Sequence, residues 1–514
     1  VRRLYSEGLN HLDVDPVVRA LAERLVPADE VKRLREIGQL VGTSVLSVGA
    51  EVDEAGSTAL VTHDLSGRWV QEAVLSRAHR ELLEQLRPMI AVPFTGAGFL
   101  AHLLEGYLVA DPGLFCAITL STQVASALWL LHPAPDPYLE RLWRGPSFGA
   151  TWFTEVHAGS DLAATRTVAH AEGDRFVLKG GDKYFASAAG LADLALAAAY
   201  VDAPGPIKEL ALFLVPAVRE DGSPNIRVRA LKRKLATRGV PTGEVELEGS
   251  EAIMLAPPGE GIYRILQSLT QARVANCVAS AGITRIAALE ATLRASERCA
   301  FGRPIGQHAL VARDLLELRL EHLGTTATAL LVAEVFDRAW KDLRDPEYLL
   351  LRVLGHIAKV ATAEASARAT NLAMEVFGGL GFIEDFGIAR WHREALVLPI
   401  WEGTSNIHAR DAGEALGIRG AYDALRGLLE EYLPATVAPS ALAAADWAAK
   451  ELREEEWEAK QALRRLGQVL ECAALGWAAR AVGALGEVAE LRWRQHSEGA
   501  LPRWQLAGEL AFSR

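Results

Sequence analysis

Nine residues, Pro399-Ile400-Trp401-Glu402-Gly403-Thr404-Ser405-Asn406-Ile407, hold one carboxylate between a large aromatic and a glycine. The apolar run before them, Leu396-Val397-Leu398, implies that Glu402 is not freely solvated. Burial raises a carboxyl pKa above its ordinary value of about 4.3, which suits a base working near neutral pH. Gly403 lets a flat ligand approach the backbone. Thr404, Ser405 and Asn406 are N-cap residue types. A helix starting there would aim free N–H groups and a positive dipole end at an anion. Taken alone, the nine residues are better explained as a helix cap beside a surface Glu, so the other stretches with chemistry in them must decide.

Four such stretches stand out. In Trp152-Phe153-Thr154-Glu155-Val156-His157-Ala158-Gly159-Ser160-Asp161, Thr154 and Ser160 offer hydroxyls and Gly159 permits close backbone approach. In Gly181-Asp182-Lys183-Tyr184-Phe185-Ala186-Ser187, an aromatic two places from a hydroxyl puts both on one face of a strand. There they could cover a planar ring and hydrogen-bond its edge. Arg298-Cys299-Ala300-Phe301-Gly302-Arg303-Pro304-Ile305 ends a helical run with an arginine suited to a pyrophosphate. Phe377-Gly378-Gly379-Leu380-Gly381-Phe382 is a glycine turn after another helix, and it lacks the preceding strand of a dinucleotide fingerprint. Each has an ordinary alternative: a turn, an amphipathic strand, a favourable helix-end charge, a C-cap.

The elements that must position these residues follow from pattern. Residues 1–147 read as helical, with Val17, Val18, Leu21 and Leu25 at helical spacing and 70–86 reading the same way. The run 132–137, His-Pro-Ala-Pro-Asp-Pro, breaks the pattern. Residues 148–256 change to short alternating runs, 175–179, 210–215 and 244–248, separated by the turn clusters 172–174, 202–206 and 220–225. That predicts a β domain of antiparallel type. Residues 257–420 return to long helical patterns, 262–299, 309–343 and 348–377, which pack as a bundle. After a linker at 433–440, residues 421–514 end in a helical pair whose second member covers about 462–493.

Composition narrows the function classes. The chain has 514 residues, half of them hydrophobic, and a net charge of −11, which argues against a general nucleic-acid coat. Cys116, Cys277, Cys299 and Cys472 form no metal or disulfide spacing, so no metal site is expected and a reducing cytoplasm is the default. The apolar run 114–131 is interrupted by Thr119, Ser121, Thr122, Gln123 and Ser126 and reads as a buried helix, so no membrane association is expected. No signal-peptide pattern is seen at the N-terminus. His63, His79 and His102 have no partner spacing and read as satisfied or exposed histidines.

Together, the five motifs and their order resemble the acyl-CoA dehydrogenase family over roughly residues 100–415. The long N-terminal part, the tail, Arg393-Glu394-Ala395 and Leu231-Lys232-Arg233-Lys234-Leu235-Ala236-Thr237-Arg238 look most like its AidB-type branch, flavoproteins linked to the alkylation response. The resemblance implies an α+β fold: an N-terminal helical domain, a middle antiparallel β domain, a C-terminal four-helix bundle and an extra helical tail. It implies FAD, a homotetramer, and oxidation of an acyl-CoA thioester by loss of an α-proton and a β-hydride. Glu402 matches the catalytic base. Phe153, Thr154, Ser160, Phe185 and Ser187 match positions beside the flavin. Arg298, Phe301, Phe377, Gly378 and Gly379 match residues reaching the adenosine-diphosphate end of a neighbour's FAD, and Thr404 and Asn406 match nucleotide contacts beside the base. Some members carry the base on an earlier helix just before an arginine. That place is Ala272 here, before Arg273, and alanine takes no proton.

Two departures remain: Glu375 stands where the family usually has glutamine, and His157 interrupts the usual turn and is expected to point outward. An electron-transfer flavoprotein or another acceptor would remove the electrons. The rival reading is an AidB-type flavoprotein with nucleic-acid binding and weak dehydrogenase activity. The acid surplus of 421–514, concentrated at 451–458, speaks against nucleic acid as a partner.

Overall fold

The computed structural model describes residues 3–56, 58–132, 136–173, 175–202, 209–499, 501 and 508–513. The breaks expected at 133–135 and 203–206, and Asp174 of another turn, lie outside the described residues. The helices in chain order are α1 (Pro16–Leu25), α2 (Ala28–Leu40), α3 (Leu46–Ala55), α4 (Arg77–Leu86), α5 (Gly98–Val109), α6 (Pro112–Leu131) and α7 (Pro137–Trp143). Then come α8 (Gly261–Glu297), α9 (Ala309–Ala339), α10 (Pro346–Phe377), α11 (Gly387–Ala395) and α12 (Ser405–Leu416). The last four are α13 (Ala421–Tyr432), α14 (Ala438–Glu454), α15 (Ala459–Ala478) and α16 (Leu485–Glu498). The strands are β1 (Ala59–His63), β2 (Trp69–Val74), β3 (Gly149–Trp152), β4 (Val168–Glu172), β5 (Arg175–Lys179), β6 (Asp182–Ser187) and β7 (Leu194–Val201). They continue with β8 (Leu210–Pro216), β9 (Arg227–Leu231), β10 (Thr242–Glu246), β11 (Ser250–Ala256), β12 (Cys299–Ala300) and β13 (Arg303–Pro304).

The chain divides into two compact units. One comprises Val48–Val92 and Pro112–Ala272, the other Val1–Ser47, Pro93–Asp111 and Arg273–Arg514. The division runs through the N-terminal helical region rather than around it, and 421–514 falls in the same unit as the long helices.

In the first unit, a six-stranded sheet runs β3-β7-β4-β5-β11-β8, and a β7–β8 pairing joins it back on itself, so five strands form a ring. Most pairings are antiparallel, as the alternating runs imply. β3 and β4, however, both lie parallel to β7, which corrects a purely antiparallel reading. The reason is connection length: β7 follows β4 only after β5 and β6, and a parallel neighbour needs such a long crossover. β7, Leu-Ala-Leu-Ala-Ala-Ala-Tyr-Val, pairs on both sides and is buried nearly throughout, hence its continuous apolar reading. α6 packs against β3 at Gly149, where a Cβ would stand 2.7 Å from Val124. By length and composition α6 could cross a membrane, but 72% of its most apolar window is buried. The segment 70–86 is not one helix. Its first part is β2, because Asp64 and Gly67 turn the chain into a hairpin with β1 and the Ala73 N–H donates to the Gly190 carbonyl at 2.8 Å. The helix starts only after Ser76, whose hydroxyl accepts from the His79 N–H.

In the second unit, α9 and α10 run against each other, and both pack on α15. α8, α9 and α10 share a core of Ala287, Ala291, Leu318, Ala369, Ala373 and Phe377. The expected helix over 462–493 is two helices, α15 and α16, with Gly483 in the break. α14 precedes them, so three helices rather than a pair follow the linker, whose last residues open α14, and α13 lies before it. The tail packs closely on the long helices: at Gly467 of α15 a Cβ would lie 3.0 Å from Ala361 of α10. A buried polar knot ties the ends of the chain to α9. Asp15 caps α1 and accepts from both terminal nitrogens of Arg319 at 3.1 Å. Tyr107 and His322 hydrogen-bond at 2.8 Å, and Phe512 stacks on His322.

Candidate active site

Glu402 sits in the turn between α11 and α12, and its backbone is left-handed, with φ 56 followed by φ 101 at Gly403. A left-handed non-glycine residue is costly and persists only where its surroundings hold it. Those surroundings are buried and polar. The Lys359 ammonium of α10 donates to the Gly403 carbonyl at 2.7 Å. The His356 and His408 rings meet through their Nδ1 atoms at 3.0 Å, and His356 Nε2 lies 3.5 Å from the Arg273 guanidinium. Arg273 also faces Asp411 at 3.7 Å. His408 backs the turn, its Nε2 standing 3.2 Å from where a Gly403 Cβ would lie. Burial holds both imidazoles well below their ordinary pKa.

Desolvation raises the Glu402 pKa, and it outweighs the opposing pull of Arg273 and Lys359. The carboxylate makes no hydrogen bond or ion pair among the described residues, and the Glu402 N–H likewise donates to none of them. The Trp401 indole N–H is buried without a partner beside it. Thr404 is the N-cap of α12 by position, yet its side chain makes no cap bond, and both Thr404 and Asn406 are exposed. Ala272, at the alternative place for a base, is buried. The turn therefore carries a proton acceptor with raised pKa, a free backbone donor, and a hydroxyl and an amide open to a ligand.

In the first unit, the two hydroxyl-bearing motifs are stitched together. The Tyr184 N–H donates to the Thr154 carbonyl at 3.0 Å, and the Trp152 indole N–H to the Ser187 carbonyl at 2.9 Å. Beneath them Glu155 and Lys183 form a buried ion pair at 2.7 Å. Glu155 also accepts from the Arg166 and Thr167 N–H groups and the Thr167 hydroxyl. Burial pushes Glu155 up, but Lys183 and these donors bring it below its ordinary value. A bulge at Tyr184 and Phe185, both opposite Glu244, resets the alternation of β6. Lys183 and Ala186 thus both turn inward, while Phe185 and Ser187 share the outer face as the sequence implies. Phe185 is 58% exposed, and Lys232 lies 3.4 Å over the neighbouring Tyr184 ring. Phe153 is buried, Thr154 partly so, and Ser160 and His157 are exposed.

The arginine motif is a β-hairpin. Phe301 and Gly302 form its tip with φ 50 and 80 between β12 and β13, and Phe301 is 96% exposed. Arg298 is exposed and makes no ion pair among the described residues. Gly378 and Gly379 have open space where side chains would stand. Phe377 is different: it is buried in the shared helical core, 6.0 Å from the Tyr5 ring, so it supports the glycine turn instead of facing outward. Glu375 is exposed, and its charge helps raise Asp314 after the larger effect of burial. Sequence reading missed Lys183, Arg273, His356, Lys359 and His408. One signal existed: His356 and Lys359 sit three apart inside the apolar run of α10, on one helix face.

Residues 150–250 match the acyl-CoA dehydrogenase middle domain, and residues 259–417 match the acyl-CoA dehydrogenase C-terminal domain, together just over half the chain. The chain belongs to the acyl-CoA dehydrogenase family. Among its relatives is the putative acyl-CoA dehydrogenase AidB of Escherichia coli, 29% identical over 76% of this chain and 75% of that one. Acyl-CoA dehydrogenase family member 11 of Caenorhabditis elegans is 27% identical over 77% and 69%. The structure of Bd2924 in its apo form superposes with a TM-score of 0.80 at 26% identity, covering 90% of this chain and 98% of that one. Caenorhabditis elegans ACDH-11 in complex with C11-CoA gives 0.82 at 22% identity over 99% and 94% and shows the same fold. The family fold explains the order found here: helices, a middle β unit, long helices, and the Glu402 turn after the last glycine motif.

Proposed function

We propose that this protein is an FAD-dependent acyl-CoA dehydrogenase, an oxidoreductase that converts an acyl-CoA to its 2,3-enoyl thioester. The observation that carries the reading is the Glu402 turn: a desolvated carboxylate with raised pKa next to its own undonated N–H. Glu402 takes the α-proton, and its backbone N–H donates to the thioester oxygen, stabilising the charge that develops there. FAD, when bound, supplies the acceptor for the β-hydride. The residues present fit that cofactor. Thr154, Ser160, Phe185 and Ser187 offer hydroxyls and an exposed aromatic, the free Thr404 hydroxyl and Asn406 amide offer polar contacts, and Arg298 with the open Gly378-Gly379 turn offers a cation and close backbone approach to phosphates.

Arg298, Phe301 and the glycine turn serve a neighbouring subunit's cofactor in a homotetramer; the support is that Arg298 is exposed without an ion pair among the described residues and that Phe301 and Phe382 are each almost fully exposed. Electrons leave to an electron-transfer flavoprotein or a similar acceptor, in the cytoplasm, where four free cysteines are at home. Nucleic acid is not a partner in this reading. Four of the tail's arginines are paired within the protein: Arg464 with Glu364, Arg426 with Asp446, Arg480 with Glu431, and Arg492 with Glu471 and Glu321.

The test is anaerobic titration of the FAD-loaded protein with butyryl-, isobutyryl-, octanoyl- and lauroyl-CoA. Bleaching of the flavin absorbance by at least one supports the reading. A protein that binds FAD but is reduced by no acyl-CoA in a broadened panel overturns it.

A further inference from the structure

The Glu402 turn cannot hold its own conformation: two successive residues are left-handed, and Glu402 has a Cβ. The Lys359 ammonium donates to the backbone of that pair, 2.7 Å from the Gly403 carbonyl, and the neutral His408 ring faces the same backbone from α12. Lys359 is wholly buried, and its stem comes from the middle of α10, the long helix that also supplies His356 behind the turn. A fully buried ammonium is expensive unless bonded and paired. Here its carbonyl partner belongs to the residue after the base, and the charges around it come from three helices. α8 contributes Arg273 and Cys277, α10 contributes His356 and Glu364, and α12 contributes His408 and Asp411. Arg273 is engaged with His356 and Asp411, whereas Lys359 is the cation bonded to the turn itself.

We infer that Lys359 is a positioning residue for the base: by binding the Gly403 carbonyl it fixes the left-handed Glu402–Gly403 turn and holds a cation at the turn that presents the carboxylate. This inference rests on the reading of Glu402 as the base. The electrostatics agree with the geometry. Burial is the largest influence on Lys359 and lowers it to about 8, so it still carries its proton at neutral pH, and Lys359 is one of two cations that pull Glu402 down against burial.

Three variants separate the two roles. Lys359→Gln keeps a donor and loses the charge, Lys359→Met loses both, and Lys359→Arg keeps both. With an acyl-CoA that reduces the wild type, the acidic limb of flavin reduction should move up by about one pH unit in Lys359→Gln and Lys359→Met, the change expected for losing a nearby opposite charge. It should stay in place in Lys359→Arg. A limb that does not move in Lys359→Gln, or that moves as far in Lys359→Arg, overturns the electrostatic role. Hydrogen exchange read by mass spectrometry needs no substrate and tests the turn. Peptides covering 397–408 should exchange at least tenfold faster in Lys359→Met than in wild type, with peptides of β7 unchanged. Equal exchange in the two proteins overturns the positioning role. Glu402→Gln is the control that keeps the readings apart. If that variant is reduced as fast as wild type, the assignment of the base has failed, whereas a slow Glu402→Gln with an unmoved Lys359→Gln limb counts against Lys359 alone.

Discussion

At the scale of the residue, the proposed reaction rests on one carboxylate whose protonation is set by opposing forces. Burial pushes the Glu402 pKa up; Arg273 and Lys359 pull it back without cancelling the shift. A base must be deprotonated to act. A raised pKa therefore means that activity falls away as pH drops through a value above the ordinary carboxylate range, and recovers above it. Stopped-flow flavin reduction across pH should show that acidic limb above the ordinary carboxylate range; a limb at the ordinary carboxylate value would contradict the desolvated site. Glu402→Gln is nearly isosteric and should retain FAD, but it removes the proton acceptor. Reduction by an acyl-CoA that bleaches the wild type should slow by about 10² to 10⁴. Glu155 cannot substitute, because Lys183, Thr167 and two backbone N–H groups already occupy its oxygens.

At the scale of the element, β6 and the Phe301 hairpin carry the most. The Glu155–Lys183 pair clamps the loop holding Thr154 to β6, and removing one partner leaves a buried charge unpaired. Lys183→Met should cost about 3–5 kcal/mol, seen as a lowered thermal midpoint, and the double variant Glu155→Gln, Lys183→Met should recover part of it. A single variant as stable as wild type would mean that water reaches the site. The hairpin ending in Phe301 is a two-residue turn with both residues at positive φ, the geometry favoured between twisted strands. Its phenyl ring is almost fully exposed, with the His308 ring edge-on at 5.9 Å between centroids. Phe301→Ala should leave the fold intact yet weaken subunit association and FAD retention together. Light scattering and flavin absorbance after gel filtration measure both, and an FAD-loaded monomer of the wild-type protein at micromolar concentration would rule out the shared-cofactor arrangement.

At the scale of the whole molecule, segments far apart in the chain build the helical unit. Residues near the start, Asp15 and His11, and near the end, Leu510 and Phe512, converge on Arg285, Arg319 and His322. Phe512 lies 4.0 Å over the Arg319 guanidinium, and the Ser513 N–H donates to the Val14 carbonyl. Phe512→Ala should therefore destabilise by about 2 kcal/mol through lost burial and cation–π contact, although it is more than a hundred residues from the Glu402 turn. Differential scanning fluorimetry reads the shift; an unchanged midpoint would show that the C-terminal segment adds nothing. The net charge and the paired arginines of the tail lead to a further expectation: binding of duplex DNA at physiological salt should be weak, and a tight gel shift with a steep salt slope would contradict it.

Much of this was legible in the residues alone. The long helices α8, α9 and α10, the strand region beginning at Gly149 and ending at Ala256, and the helix starting at Ser405 follow from periodicity and capping types, which are local properties. Glu402 was legible only in part: its apolar flank implied a carboxylate not freely solvated, but its nine residues alone read as a cap beside a surface Glu, and the resemblance supplied the role of base. The rest depended on partners remote in sequence. β2 looked helical until a hairpin and the backbone at Gly190 claimed it. β3 and β4 lie parallel to β7 because of how the chain returns, which no alternating pattern records. Phe377 looked like a ligand contact and is a core residue, since burial is decided by what packs against it. Beyond the linker at 433–440 a pair of helices was expected and three form, α14, α15 and α16, with α15 held against α10 through close approaches such as Gly467 on Ala361. Above all, the residues around Glu402 in sequence do not show what holds its turn: Lys359 and His356 come from α10, Arg273 from α8 and His408 from α12, and only the packing of those three helices brings these groups to one turn.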